Sequence, residues 1–143
     1  MTKAQFRIII TTHSSLCNGY LDAAALILNS KCENVELLTF KENMSTEDFE
    51  KSLVEMIDVH PTQPLLILTD LVGGTPANIA IKYMKKAAIE IVSGINLPLL
   101  LEVLMKQEAG EQLKDIQFKE VIKNSQESII YVNELLRGGT VND

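Results

Sequence analysis

Tryptophan is absent, and aromatic residues make up only 5% of the 143 positions. The chain therefore has no ready platform for stacking nucleobases. Basic residues are in the minority, 13 Lys and Arg against 19 Asp and Glu, for a formal charge of −6. That balance argues against a partner held by its phosphate backbone, so nucleic acid is not an expected ligand. No apolar run is long enough to cross a bilayer. The opening MTKAQFRIII holds one short apolar burst and reads as a strand, not as a signal peptide, so a cytoplasmic protein is expected. Cysteine is scarce. Cys17 and Cys32 have neither CxxC nor zinc-ligand spacing and read as reduced thiols. No metal or cofactor is expected. Repeats, low-complexity stretches and linkers are also missing, so residues 1–143 read as one domain.

Apolar side chains are plentiful, at 46%, enough for a proper core. Phe6 to Thr11 is a β-branched strand, followed by a polar loop of Thr12, His13, Ser14 and Ser15. Gly19 loosens the chain ahead of an Ala/Leu-rich helix over Tyr20 to Leu28. Val35 to Phe40 is a second strand. Ser45 and Asp48 suggest a capping box, with Phe49, Leu53, Met56 and Ile57 at helical spacing behind it and Pro61 and Pro64 closing the helix. Ala77, Ala80, Ile81, Met84 and Ala88 mark one face of a later helix. Ile89 to Val92 is a fourth strand, with a special turn GINLP after it and an apolar helix over Leu99 to Met105. Lys106 to Asp115 reads as a charged surface segment. Phe118, Val121, Ile122, Ser125, Ile129, Val132 and Leu136 share one face of a final helix, ended by Gly138 and Gly139, before a fraying TVND tail.

Strand and helix thus alternate four times. The expected fold is α/β, a three-layer sandwich with a mainly parallel sheet and helices on both faces. A switch point beside the first strand would bring the ends of strands one and three together.

The organising stretch is Leu65 to Asn78, LLILTDLVGGTPAN. Leu65 to Leu68 fits a strand buried on both faces. Thr69 and Asp70 sit where it should end. Gly73 and Gly74 allow a turn without a Cβ penalty, Thr75 suits an N-cap, and Pro76 suits the first helical position. Free N–H groups beside a carboxylate at this sheet edge favour an anionic ligand.

His13 shares that edge. Asp70 can accept its Nδ1–H and leave Nε2 free as a nucleophile. The plain alternatives are an ordinary loop histidine and an Asp70 that satisfies loop N–H groups as Asx turns do. Thr75 is most economically a helix cap, and Gly73 and Gly74 are structural. His60 lies at the opposite edge and reads as solvated. Asn78 and Asn96 read as loop pins, and Met56, Met84 and Met105 as core filler. Ser14 and Ser15 lack a GxSxG elbow, which argues against a hydrolase.

Three segments together resemble the IIA component of the mannose class of the bacterial sugar phosphotransferase system. They are TTHSSLCNG after the first strand, TDLVGGTPAN at the central strand and GINLPLLLEVL after the fourth. The resemblance spans nearly the whole chain. It implies that His13 accepts a phosphoryl group from the phosphocarrier HPr and passes it to a IIB component, serving membrane IIC and IID components indirectly. It implies that Asp70 orients His13, that Ser14 and the Gly73, Gly74, Thr75 loop face the phosphoryl group, and that the protein is a homodimer. The family often has Gly where this chain has Ser14. A His-Ser-Ser loop also occurs in the related phosphoryl-transfer subunit of dihydroxyacetone kinase, but GGTPAN and GINLP fit the mannose class better.

Two rivals come from other classes. A receiver phosphorylated on aspartate needs an acidic pair after strand one, where this chain has Thr12, His13 and Ser14. A non-covalent binding module would carry no phosphoryl group at all.

Overall fold

The computed structural model describes residues 3–86 and 88–141. Its elements run β1 (Arg7–His13), α1 (Leu16–Leu28), β2 (Val35–Phe40), α2 (Thr46–Asp58), β3 (Leu65–Thr69), α3 (Thr75–Ile81), β4 (Ile89–Ser93) and α4 (Leu97–Glu108). A 3₁₀ turn (Leu113–Asp115) leads to α5 (Phe118–Glu127) and α6 (Val132–Val141). The four strands are parallel, in the order β2-β1-β3-β4. The chain steps outward from β1 to β2, then returns across β1 to β3. The switch point therefore falls between β1 and β3, as expected, and Thr11 lies beside Thr69 at its rim.

Alternation along the strands divides the core in two. Ile8, Ile10, Leu66, Leu68 and Val92 face α1, α4 and α5, packing on Ala24, Leu100, Val103, Leu104 and Val121. Ile9, Leu65 and Ile67 face α2 and α3, packing on Phe49, Leu53, Ile57, Ile79 and Ala80. Each buried Val, Leu, Ile or Phe among them contributes about 1.5–3 kcal/mol. Both faces of the sheet are covered, which is why its central strands are apolar without a polar side. Ser45 caps α2 by accepting the Asp48 N–H at 3.0 Å. Both cysteines are buried free thiols.

Several boundaries differ from the sequence expectation. β1 runs on through Thr12 and His13, which pair with Thr39 and Phe40 of β2. The Thr12 hydroxyl accepts the Cys17 N–H at 2.8 Å and so starts α1 at Leu16, with Gly19 inside it. α2 ends at Asp58, short of Pro61. α3 stops at Ile81, not Ala88. Lys82, Tyr83 and Met84 bond back three residues instead of four, and the chain leaves the helix in turns. Met84 and Met105 are exposed, not core filler, while Met56 packs at the edge of the core.

The segment after α4 is not all surface. Gln107 is buried and donates to the carbonyls of Phe6, at 2.9 Å, and Asn34, at 3.1 Å. Leu113 and Ile116 are buried too. The single final helix is two. Ser125 and Ser128 turn their hydroxyls back onto the carbonyls of Ile122 and Asn124, and the run Ile129 to Val132 is rich in β-branched residues that favour helix poorly. Ile129 and Val132 are exposed. Gly138 and Gly139 lie within α6 rather than ending it. Of the TVND tail, 142–143 lie outside the described residues.

Candidate active site

His13 closes β1 and Asp70 follows β3, so adjacent parallel strands deliver both to one rim. Asp70 Oδ2 accepts the His13 backbone N–H at 3.0 Å and lies 2.8 Å from the ring Nδ1. Its other oxygen, Oδ1, accepts the Leu71 N–H at 3.1 Å. Asp70 therefore both closes its own loop and lies in hydrogen-bond contact with the imidazole. A carboxylate only accepts, so Nδ1 carries the shared proton and the Nε2 lone pair is free.

Exposure separates the two roles. The His13 side chain is 42% exposed and that of Asp70 8%. A partner can reach the ring but not the group that holds it. Burial pushes the Asp70 carboxyl up. Hydrogen bonds from the His13 backbone and ring, with the ring's charge, outweigh burial and hold it below the ordinary carboxylate range. The ring also meets Phe40 edge-on, with centroids 5.9 Å apart, and Phe40 meets Phe49 in the same way at 5.4 Å. This links the imidazole to the core under α2.

The glycine turn does two separate jobs. Gly73 has φ +90°, which a side chain would strain. Gly74 has an ordinary φ of −85° but leaves no room: a Cβ there would stand 2.5 Å from His13 Cε1 and 3.2 Å from Nε2. Its missing side chain is what lets the loop close over the ring. Asn78 pins the turn by donating to the Gly73 carbonyl at 3.2 Å.

The turn corrects two details. Gly74, not Thr75, is the N-cap, and Thr75 is the first helical residue, so Pro76 falls second. The Thr75 N–H therefore belongs to the first turn, where no intrahelical acceptor exists, while the Gly74 N–H reaches back to Leu71 O at 3.4 Å. Ser14 stands at φ 54° and donates its N–H to the Phe40 carbonyl at 2.9 Å. That N–H is committed, leaving only its exposed hydroxyl for a ligand. Glycine would adopt this positive φ without strain. His60 is exposed at the far end of the sheet, where the loop after α2 enters β3. Among the described residues, no three His, Cys, Asp or Glu side chains cluster as metal ligands would.

A family model, EIIA-man, described as PTS system fructose IIA component, matches residues 7–121. The chain belongs to the EIIA-man family. It is similar to the sorbose-specific EIIA component of the phosphotransferase system (PTS) of Lacticaseibacillus casei, with 31% identity over 97 residues, 67% of this chain and 70% of that protein. It is 31% identical over 103 residues to the PTS mannose-specific EIIAB component of Escherichia coli strain K12. That match takes in 71% of this chain but only 32% of the length of the EIIAB protein. Among solved structures, the PTS IIA protein associated with the fucose utilization operon of Streptococcus pneumoniae superposes with a TM-score of 0.82 at 25% identity, covering 95% of this chain and 99% of that one. The PTS component EIIA of Streptococcus agalactiae gives 0.78 at 30% identity, over 90% of this chain and 98% of its own. The EIIA-man domain is thus a protein of the sugar phosphotransferase system type.

Sequence reasoning about this EIIA-man chain missed the supports of the site. Thr12 is fully buried; besides capping α1, its hydroxyl donates to the Ser14 carbonyl at 3.3 Å. From the sequence, Phe40 is only a strand end and Tyr20 only a helix start. No local pattern marks them, because each meets the site through a distant partner. No helix of the described residues is long and apolar enough to cross a membrane.

Proposed function

We propose that this protein is a phosphoryl carrier whose His13 takes a phosphoryl group from phosphorylated HPr and hands it to a IIB component. The observation that carries this is the 2.8 Å contact between His13 Nδ1 and Asp70 Oδ2, on an exposed ring whose Nε2 faces the bare backbone of Gly74. Nε2 attacks the phosphorus of the incoming phosphohistidine. The new P–Nε2 bond forms as the donor's P–N bond breaks, and that electron pair returns to the donor imidazole. His13 then carries positive charge, which the buried Asp70 carboxylate offsets through the Nδ1 proton. The Thr75 N–H, and the hydroxyls of Thr75 and Ser14, are the donors for the phosphoryl oxygens. Positioning and electrostatics supply most of the catalysis in such transfers. The second hop reverses the first, since the bonds broken and made are alike.

On this reading IIB passes the group on to sugar carried by IIC and IID membrane components, and the carrier works as a cytoplasmic homodimer. The exposed apolar run of Ile129, Ile130, Tyr131, Val132 and Leu135 supports an assembly that covers it. The test is incubation of wild type and His13→Ala with phosphorylated HPr, followed by mass spectrometry. Wild type should gain one phosphoryl group that acid removes and base spares. His13→Ala should gain none; an equally labelled variant would overturn the proposal.

A further inference from the structure

The GINLP turn, Gly94 to Pro98, is held to its neighbours by several hydrogen bonds. Gly94 takes φ +79°, and the N–H groups of Gly94 and Ile95 both donate to the Thr69 carbonyl, at 3.0 and 3.3 Å. Asn96 accepts the Leu99 N–H at 2.9 Å and donates to the Ser125 carbonyl at 3.0 Å. From the other side, the Tyr20 hydroxyl of α1 donates to the Ile95 carbonyl at 3.0 Å. The Thr69 carbonyl and the Asp70 N–H belong to one planar peptide. Whatever fixes that carbonyl fixes where the Asp70 side chain leaves the backbone.

We infer that Tyr20 is a positioning residue for the His13 site: its hydroxyl fastens the Gly94–Asn96 turn, and the turn sets the peptide from which Asp70 reaches His13. The inference deepens the phosphoryl-carrier reading and rests on it for its kinetic consequence alone. Tyr20 packs against the core cluster that includes Leu99 and Leu100 of α4, and its hydroxyl reaches the turn. Burial first, and then the negative charge of Asp70, hold that hydroxyl above the usual phenol range, so the two groups sense each other across the turn. Tyr20 donates to backbone and not to the imidazole. Its effect must pass through Asp70.

Tyr20→Phe in the full chain tests this, because it removes the hydroxyl and keeps the ring in the core. NMR on the unphosphorylated protein reads the Asp70 carboxyl titration and the His13 ring tautomer directly. The expected result is an Asp70 midpoint that rises toward the ordinary carboxylate value and a mixed His13 tautomer. The transfer rate from phosphorylated HPr should fall about tenfold, with KM for the donor unchanged. A lower melting temperature with unmoved Asp70 and His13 signals would assign Tyr20 a purely structural role and overturn the inference. If those signals move but neither wild type nor variant accepts phosphoryl, the positioning role stands and the carrier reading falls.

Discussion

One oxygen of Asp70 holds both the backbone and the ring of His13, at 3.0 and 2.8 Å, across 57 positions of sequence. The imidazole is thus tethered at two points by a carboxylate that a partner cannot reach. Asp70→Asn keeps the shape and removes the charge. It should slow phosphorylation of His13 by about 10- to 100-fold, the equivalent of a charged hydrogen bond of about 1.5–3 kcal/mol. Stopped-flow kinetics with phosphorylated HPr, with circular dichroism as a fold control, checks this. An unchanged rate would show that the ring needs no carboxylate.

The depressed pKa of Asp70 makes a pH prediction. Unfolded, the carboxyl titrates near its ordinary value of about 3.9; folded, it titrates lower. The unfolded state therefore binds the proton first as the solution is acidified. The stabilising contribution is fully present above about pH 3.9 and is lost as pH falls through the folded pKa. Urea unfolding of wild type and Asp70→Asn should give a gap in midpoint that is steady at neutral pH and narrows only below that value.

The two glycines of the turn should fail differently. Gly74→Ala puts a methyl 2.5 Å from His13 Cε1, and the half-exposed ring can swing away to relieve it. Phosphorylation should be lost with little change in melting temperature. Gly73→Ala meets no neighbour but must hold φ +90°, at a cost of about 1–2 kcal/mol. Its stability should fall and its site should survive. Thermal melts beside phosphorylation assays separate the two.

Gln107 ties the start of β1 to the loop before β2. Gln107→Leu fits the space but strands the Phe6 carbonyl, while the Asn34 carbonyl keeps the Ile8 N–H. It should cost about 2 kcal/mol or more, measured by chemical denaturation, and leave His13 reactivity intact because the site is at the other end of the sheet.

What could be read from the sequence follows from what is local. The Leu65 strand stands out because its apolar run ends abruptly in polar residues. The meeting of His13 and Asp70 follows from strand alternation and the switch point, needing only which edge each residue occupies. The extension of β1 to His13 depends on pairing with β2, and no pattern within Thr12–Ser15 encodes it. Gln107 looks like surface because its partners lie 73 and 101 residues away. The shared face from Phe118 to Leu136 reads as one helix, but the β-branched residues from Ile129 onward break it into two. Gly74 is a plain turn residue in the sequence; its closeness to the imidazole appears only once α3 is seated over β1.

The central claim concerns which nitrogen of His13 reacts. Protein labelled with ¹⁵N at histidine, phosphorylated by HPr and examined by ³¹P and ¹⁵N NMR, reports the bonded nitrogen directly. The phosphoryl group should sit on Nε2 of His13, with Nδ1 still carrying the proton shared with Asp70. Phosphorus bonded to Nδ1, or to any residue other than His13, would contradict the account.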